Sequence, residues 1–210
     1  MQQAQYNYRH ADMIGANHYI WPEVEKILRS LPVGAKRILD LGCGNGAITN
    51  KLANLGLQPI GIDPSISGTE MAKRAYPHIQ FVQGDGYVDL KDKLGRFPIV
   101  ISLEVVEHLY DPRLFARNIY NCLEPNGFAI ISTPYHGYVK NLMLAITGKW
   151  DRHLSPLWDG GHIKFWSKHT LSVLLKEAGF STVSFKYVGR VPMLAKSMIA
   201  IAHKYDGPAE

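Results

Sequence analysis

The chain has 210 residues, a length typical of one domain with a single buried core. Its 46% hydrophobic and 20% charged residues exclude disorder along the whole chain, and no run of about 18 apolar residues predicts a membrane-spanning helix. The net charge of +5 is compatible with an anionic partner. Two cysteines are too few for a disulfide framework. The sequence shows no signal-peptide pattern, which favours a cytoplasmic protein.

Short apolar strands alternate with helices over the first two thirds of the chain. The strands are continuously apolar, which predicts an α/β fold: a doubly wound, mostly parallel sheet with helices on both faces. Residues 1–34 form an N-terminal helical cap in which Pro22 occupies a first-turn position. We predict strands at 37–41, 59–62, 79–82, 98–103 and 128–132, and helices at 21–31, 47–55, 68–76 and 113–122.

The rhythm changes after residue 133. Residues 134–169 are too long for an ordinary loop and are predicted to form an insertion that acts as a lid over the site where a substrate, the acceptor, would bind. A helix at 170–178 follows and ends at Gly179, a good C-terminal cap. Strands at 182–188 and 197–203 have no helix between them, so we expect an antiparallel pair at the sheet edge, followed by a frayed tail at 205–210.

A glycine loop follows the first strand, in the stretch Ile-Leu-Asp-Leu-Gly-Cys-Gly-Asn-Gly that ends at Gly46. Glycines permit a tight turn and a close ligand, and the helix behind them offers free N–H groups. The spacing also fits a relaxed dinucleotide fingerprint. Three carboxylates distinguish it: Asp40 precedes the glycines, Asp63 ends the second strand and can accept from ribose hydroxyls, and Asp85 follows the third strand and can accept from an adenine amino group.

These features resemble class I S-adenosylmethionine-dependent methyltransferases over about residues 35–203. The turn before the fifth strand, Leu-Glu-Pro-Asn-Gly-Phe, adds to the resemblance, with Asn126 replacing a glycine and tolerating the same left-handed backbone. The resemblance implies a seven-stranded sheet with an antiparallel last strand. It also implies a site for S-adenosylmethionine formed by Asp40, Gly42, Cys43, Gly44, Gly46, Asp63, Pro64, Asp85, Gly86 and Leu103.

A Glu-x-x-Glu-His motif follows the fourth strand. In a helical turn, Glu104, Glu107 and His108 would share one face and could bind a divalent metal, Mg²⁺ or Mn²⁺. Similar motifs occur in ubiquinone-biosynthesis O-methyltransferases and in small-RNA 3′-terminal 2′-O-methyltransferases; the latter add a later histidine, for which His162 is the candidate here. Alternatively, Glu107 and His108 only cap or pair with neighbours, or His108 or His162 is a metal-free general base.

The lid contains an amphipathic helix, with Val139, Leu142, Met143 and Ile146 at helical spacing. It could simply close the open end of the sheet, wall the substrate with aromatic side chains, or let residues 139–150 touch a membrane surface. Five Lys or Arg and two Asp lie in 134–169, so much of the net charge is there and could steer an anionic acceptor or contact an anionic surface.

The function expected from the sequence is O-methylation of a small phenolic, quinone-like or natural-product acceptor. One alternative is 2′-O-methylation of an RNA 3′ end, although the chain has no arginine-rich tract or recognisable RNA module, so nucleic acid is not the favoured partner. Another alternative is a nucleotide-binding protein without catalysis.

Overall fold

A computed structural model describes residues 8, 10–32, 34, 36–154 and 156–205. Within them lies a seven-stranded sheet of order β3-β2-β1-β4-β5-β7-β6. In it, β7 pairs antiparallel with both β5 and β6, and the other pairings are parallel. The predicted mostly parallel sheet and its antiparallel final pair are confirmed. The strands are β1 (Arg37–Leu41), β2 (Gln58–Asp63), β3 (Gln80–Gln83), β4 (Phe97–Leu103), β5 (Leu123–Pro134), β6 (Thr182–Val188) and β7 (Ser197–His203).

The predicted helices are present, with boundaries shifted by at most four residues. They are α1 (Asn17–Ser30), α2 (Ala47–Asn54), α3 (Ile66–Ala75), α5 (Pro112–Cys122), α6 (Tyr138–Ile146) and α8 (Lys168–Glu177). Two short helices, α4 (Lys91–Leu94) and α7 (Trp150–Leu154), were not predicted. No helix in the described ranges is long and apolar enough to span a bilayer. Of the predicted frayed tail, residues 206–210 lie outside the described ranges.

Pro22 does not occupy the first turn of α1, so that prediction was wrong. The helix begins at Asn17, and the N–H groups of Tyr19 and Ile20 donate to the carbonyl oxygen of Ala16. Pro22 therefore lies inside the helix, where its missing N–H leaves the carbonyl of His18 without its helical donor. His18 is exposed, so water can bond to that carbonyl.

Each face of the sheet carries its own core. Ile38 and Leu39 are consecutive and both fully buried, but they join different clusters because neighbouring strand residues point to opposite faces. One cluster packs β-strand side chains against α5 and α8, through residues such as Phe115 and Leu171. The other packs against α1 and α2, through residues such as Val24.

The turn before the long part of β5 has the predicted backbone. Asn126 has φ 60°, in the left-handed region that asparagine tolerates better than most residues. Next to it, Gly127 lies against the carbonyl oxygens of Glu124 and Pro98, where a side chain would not fit. The register between β4 and β5 shifts between Phe97 and Ile99. The irregularity accommodates the turn sequence inside the strand.

The topology gathers many loops at one edge of the sheet. Because β6 and β5 both run antiparallel to β7, β6 is parallel to β5 and ends at the same edge. The loop at residues 189–196 therefore lies beside the carboxyl ends of β1, β2 and β4. Ligand sites of open α/β sheets form at this edge.

A substitution at Gly46 tests how tightly the residues beneath the glycine loop are packed. It has φ 78°, and a Cβ atom there would lie 2.8 Å from Ala72 Cβ and 2.8 Å from Phe81 Cζ. We expect Gly46→Ala to lower the free energy of unfolding by about 3 kcal/mol, from backbone strain plus overpacking. Gly56 is the matched control, since its φ is 82° and no atom lies within 4 Å of the added Cβ. Gly56→Ala should lose only about 1 kcal/mol in the same urea titration; equal losses would contradict the packing argument.

Candidate active site

A cleft of about 1660 Å³ opens at the carboxyl edge of the sheet. The glycine loop and the ends of β2, β3 and β4 form one side, and α6, the segment around residue 160 and the 189–196 loop form the other. Single ligand pockets measure about 300–1,000 Å³. The cleft therefore has room for a nucleoside-sized cofactor and a second molecule together.

Asp63 holds the glycine loop in place. The Gly44 N–H donates to Asp63 Oδ2 (2.7 Å), and the Ser65 N–H donates to Asp63 Oδ1 (2.8 Å). Burial raises the pKa of the Asp63 carboxyl, and these two hydrogen bonds oppose the increase. Each carboxylate oxygen keeps a second lone pair, so Asp63 can also accept from ligand hydroxyls in the cleft.

Most predicted cofactor residues line the cleft, but two do not. The lining ones are Gly42, Cys43, Gly44, Asp63, Pro64, Asp85, Gly86 and Leu103. Gly46 begins α2 behind the loop. Asp40 is buried at the end of β1, where Thr49 Oγ1 donates to its Oδ2 (2.7 Å), and burial raises the pKa of Asp40 to about 7. In this structure, Asp40 supports the glycine loop from behind.

The opposite end of the cofactor half carries Asp85 and Gly86. The Tyr87 N–H donates to Asp85 Oδ1 (2.8 Å), which fixes this carboxylate at the wall of the cleft. Gly86 packs against the ring of Phe115, since a Cβ there would be 2.4 Å from Phe115 Cδ2. The absence of a side chain at Gly86 thus lets α5 approach the site closely.

An N-terminal segment crosses the glycine loop, which the sequence did not indicate. The ring of Tyr8 lies against Gly44, where an added Cβ would be 2.3 Å from the phenol oxygen. Asn45 Nδ2 donates to the carbonyl oxygens of His10 and Asp12, both at 2.8 Å. These bonds hold residues 10–12 beside the cofactor half. The one available signal was Asn45, a side-chain donor between two glycines.

Glu104 departs from the predicted helical turn. It has φ 56°, a left-handed value that is uncommon for glutamate, and the helix that follows is a short 3₁₀ turn at Val106–His108. Ser132 Oγ donates to Glu104 Oε1 (2.9 Å), and Ser197 Oγ donates to Oε2 (3.3 Å). Burial raises the pKa of Glu104 to about 7. Its carboxyl group therefore faces β5 and β7 and does not share a face with Glu107.

Three of the four predicted metal ligands come together. Glu107, His108 and His162 each have a ligand atom within 4.8 Å of the others. Glu107 is 1% exposed, and within the described residues neither of its carboxylate oxygens has a hydrogen-bond partner. Burial is the largest cause that raises the pKa of Glu107, and the charge of Glu104 is the second. A buried carboxylate without a partner is unfavourable, and a bound cation would compensate it.

The lid positions both histidines. His108 Nδ1 lies 2.9 Å from the carbonyl oxygen of Gly160, so Nδ1 carries the proton and Nε2 is left as the lone-pair donor. The N–H groups of Ile163 and Lys164 donate to the Glu107 carbonyl (2.9 and 3.0 Å), which fixes the position of His162. Burial lowers the pKa of His108, and burial with the nearby His108 lowers the pKa of His162 to about 4. Both imidazoles are neutral at pH 7, the form that binds a metal or accepts a proton.

The aromatic wall is only partly as expected. Trp158 lines the cleft near His108 and His162, with ring centroids 6.0 and 5.5 Å away. Trp166 instead joins the core, where its Nε1–H donates to the Val106 carbonyl. In α1, Tyr19 lines the cleft while Trp21 is buried in the other core.

Curated proteins are similar to this chain in sequence. The chain is 36% identical over 146 residues to a ubiquinone biosynthesis O-methyltransferase of Azorhizobium caulinodans, covering 61% of this chain and 57% of that protein. It is 30% identical over 165 residues to the enzyme of that name from Cereibacter sphaeroides, covering 74% of this chain and 64% of the relative. The matched regions thus span between about half and two thirds of these curated relatives.

Solved structures share the fold at low identity. A SAM-dependent methyltransferase of Archaeoglobus fulgidus superposes with a TM-score of 0.66 at 18% identity, covering 88% of this chain and 93% of that one. The magnesium protoporphyrin IX methyltransferase of Synechocystis, solved with bound S-adenosylhomocysteine, gives 0.66 at 18% identity over 88% and 81%. A family model of the methyltransferase domain matches residues 8–184. The chain therefore belongs to the methyltransferase-domain family, whose S-adenosylmethionine-binding fold and glycine loop it carries.

Proposed function

We propose that this chain transfers the methyl group of S-adenosylmethionine to a hydroxyl oxygen of a small phenolic, quinone-like or natural-product acceptor. The observation that carries the proposal is the Glu107, His108 and His162 cluster, whose two histidines line the same cleft as the glycine loop while Glu107 is buried behind them. The names of the relatives, ubiquinone biosynthesis O-methyltransferase, support an oxygen acceptor.

The cluster fits a divalent cation. It offers one buried carboxylate and two neutral imidazoles; in the described chain the Glu107 oxygens have no hydrogen-bond partner, and His162 Nε2 lies 3.9 Å from Glu107 Oε1. Mg²⁺ is usually bound through one or two carboxylates, phosphates and several waters, so a site with two imidazoles favours Mn²⁺ of the two. When bound, such a cation would lower the pKa of an acceptor hydroxyl and orient a catechol through two oxygens.

The protein contributes orientation and a restricted environment. Methyl transfer forms a carbon–oxygen bond as the carbon–sulfur bond breaks, with S-adenosylhomocysteine leaving and the hydroxyl proton passing to a base or to water. Asp63 and Asp85 would position the cofactor, while Met143, Leu144 and Trp158 would place the acceptor beside it and exclude water. Without a metal, His162 would be the proton acceptor, since it is neutral and lines the cleft.

A transfer assay with methyl-labelled S-adenosylmethionine and a panel of catechols tests this function. We expect label on an acceptor oxygen, a fall of about 100-fold in EDTA, and recovery with Mn²⁺. Unchanged transfer in EDTA would favour the metal-free histidine. Calorimetric binding of NAD without S-adenosylhomocysteine, or transfer only to an RNA 3′ end, would overturn the proposal.

We also propose that α6 touches a membrane surface. One face of this helix lines the cleft through Lys140, Met143, Leu144 and Thr147. The other face exposes apolar side chains at helical spacing: Tyr138 is 80%, Leu142 42% and Ile146 70% exposed. Exposed apolar side chains next to the basic Lys149 suit the interface of an anionic bilayer.

Flotation with phosphatidylserine vesicles checks the membrane contact. We expect the chain to float with the vesicles and the double substitution Leu142→Gln and Ile146→Gln to weaken its recovery by about tenfold. Val173, an exposed apolar residue on α8, provides the control Val173→Gln, which should float like the unmodified chain. Equal flotation of all three proteins would contradict the proposal.

A further inference from the structure

Four cationic side chains line the acceptor end of the cleft. Lys140 and Lys149 come from the lid, and Arg190 and Lys196 come from the 189–196 loop. All four belong to the half of the edge around β5, β6 and β7, away from Asp63 and Asp85 on the cofactor half. The positive charge is thus concentrated where the second molecule would bind.

These cations are not neutralised by the protein. In the described ranges, no carboxylate oxygen lies within 4 Å of a side-chain nitrogen of any of the four. Two carboxyl groups line this end, Glu104 and Asp159. Glu104 attracts Lys140 electrostatically, so these two carboxyl groups offset at most two of the four positive charges. The acceptor end therefore has an excess of positive charge.

Lys140 is the most constrained of the four. Its Nζ donates to the Tyr135 carbonyl (2.7 Å) and reaches the Lys196 carbonyl at 3.5 Å. Burial and the charge of Arg190 lower the pKa of Lys140 to about 8, and the charge of Glu104 only partly opposes them. A half-buried ammonium group bonded only to carbonyl oxygens and close to a guanidinium group attracts an anion strongly.

We infer that the acceptor carries an anionic substituent, a carboxylate or a phosphate, and that Lys140 and Arg190 bind it at this end of the cleft. The inference rests on the proposed function, because it names the substrate class of the same site. Arginine offers a planar pair of donors that matches either oxyanion, and Lys140 adds a point charge. Lys149 and Lys196 add longer-range attraction during entry.

Matched pairs of probes test the inference by calorimetry in the presence of S-adenosylhomocysteine. 3,4-Dihydroxybenzoate is compared with its methyl ester for the carboxylate, and phenyl phosphate is compared with phenol for the phosphate. We expect the anion of at least one pair to bind about tenfold more tightly than its neutral partner. The preference should diminish as salt is added.

Arg190→Met should reduce this preference at least about threefold, with Lys140 retaining the remainder. Since Arg190 is exposed, the variant should fold. Arg117→Met, at an exposed position on α5 away from the cleft, should keep the preference. Absence of a preference in both pairs, including no binding at all, overturns the inference, as does a preference that Arg190→Met leaves intact. Failure to bind S-adenosylhomocysteine is a separate result that counts against the proposed function. Preferential retention on RNA would overturn the inference, because the four cations would then bind a nucleic acid.

Discussion

Replacing Glu107 by glutamine is expected to lower the rate of methyl transfer by at least about 100-fold while the fold becomes no less stable. Glutamine keeps the size of the side chain but removes the negative charge that a cation needs. The same change removes a buried carboxylate whose oxygens have no hydrogen-bond partner in the described chain. Neutralising such a group is neutral or stabilising. The rate of methyl transfer should therefore fall, while the free energy of unfolding should stay the same or rise.

Manganese affinity, transfer rate and urea unfolding measured on the same preparations check this prediction. Glu104→Gln is the informative comparison: because its carboxyl group is bonded to Ser132 and Ser197, Mn²⁺ affinity should change by less than about threefold. Glu177→Gln, at an exposed position on α8, is the control for all three measurements. A Glu107→Gln variant that binds Mn²⁺ and transfers methyl groups at the original rate would exclude the cluster from the chemistry.

Asp40→Asn is expected to raise the free energy of unfolding at pH 8. It should also make that free energy depend less on pH between pH 4 and 8. Burial raises the pKa of Asp40 from 3.8 to about 7. A carboxyl group with a raised pKa contributes stability that is fully present below pH 4 and is lost as the pH rises through about 7. The shift corresponds to about 4 kcal/mol at most. Asparagine retains an oxygen for the Thr49 hydroxyl and does not ionise.

Urea unfolding at pH 4, 6 and 8 checks the direction of the change in the free energy of unfolding. The variant should match the unmodified chain at pH 4 and exceed it by about 2–4 kcal/mol at pH 8. Asp92→Asn, at an exposed position on α4, should leave the curve as it was. Affinity for S-adenosylhomocysteine should change by less than about threefold, because Asp40 does not line the cleft. A large loss of affinity would instead support the part in the S-adenosylmethionine site that the family resemblance implies for Asp40.

The sequence predicted the parts of the site that depend on local patterns. Short apolar runs fixed the positions of β1 to β4, and glycines with carboxylates at strand ends identified the cofactor half. Parallel strands bring their carboxyl ends to one edge, so Asp63 and Asp85 could be placed together without coordinates. His162 was also predicted, from the resemblance to small-RNA 3′-terminal 2′-O-methyltransferases, which add a later histidine.

The remaining features depend on contacts between distant segments. Glu104 has a left-handed backbone because Ser132 and Ser197, on two other strands, hold its carboxyl group. No periodicity within the motif could indicate this. Arg190 belongs to the acceptor end only because β6 runs parallel to β5, with β7 inserted between them. Tyr8 reaches Gly44 across 36 residues of sequence, and an aromatic residue near the start of a chain carries no signal for such a contact.

The insertion of β7 between β5 and β6 also bears on how the protein is made. During synthesis β6 emerges from the ribosome first, yet in the described sheet it pairs with β7 alone. Until Ser197–His203 has been translated, β5 has an unpaired edge and β6 has no neighbour. Ser197, which holds Glu104, arrives with the same strand. The cofactor half can thus form early in translation, whereas the acceptor half waits for the final strand, and a nascent chain stalled before it would expose an aggregation-prone edge.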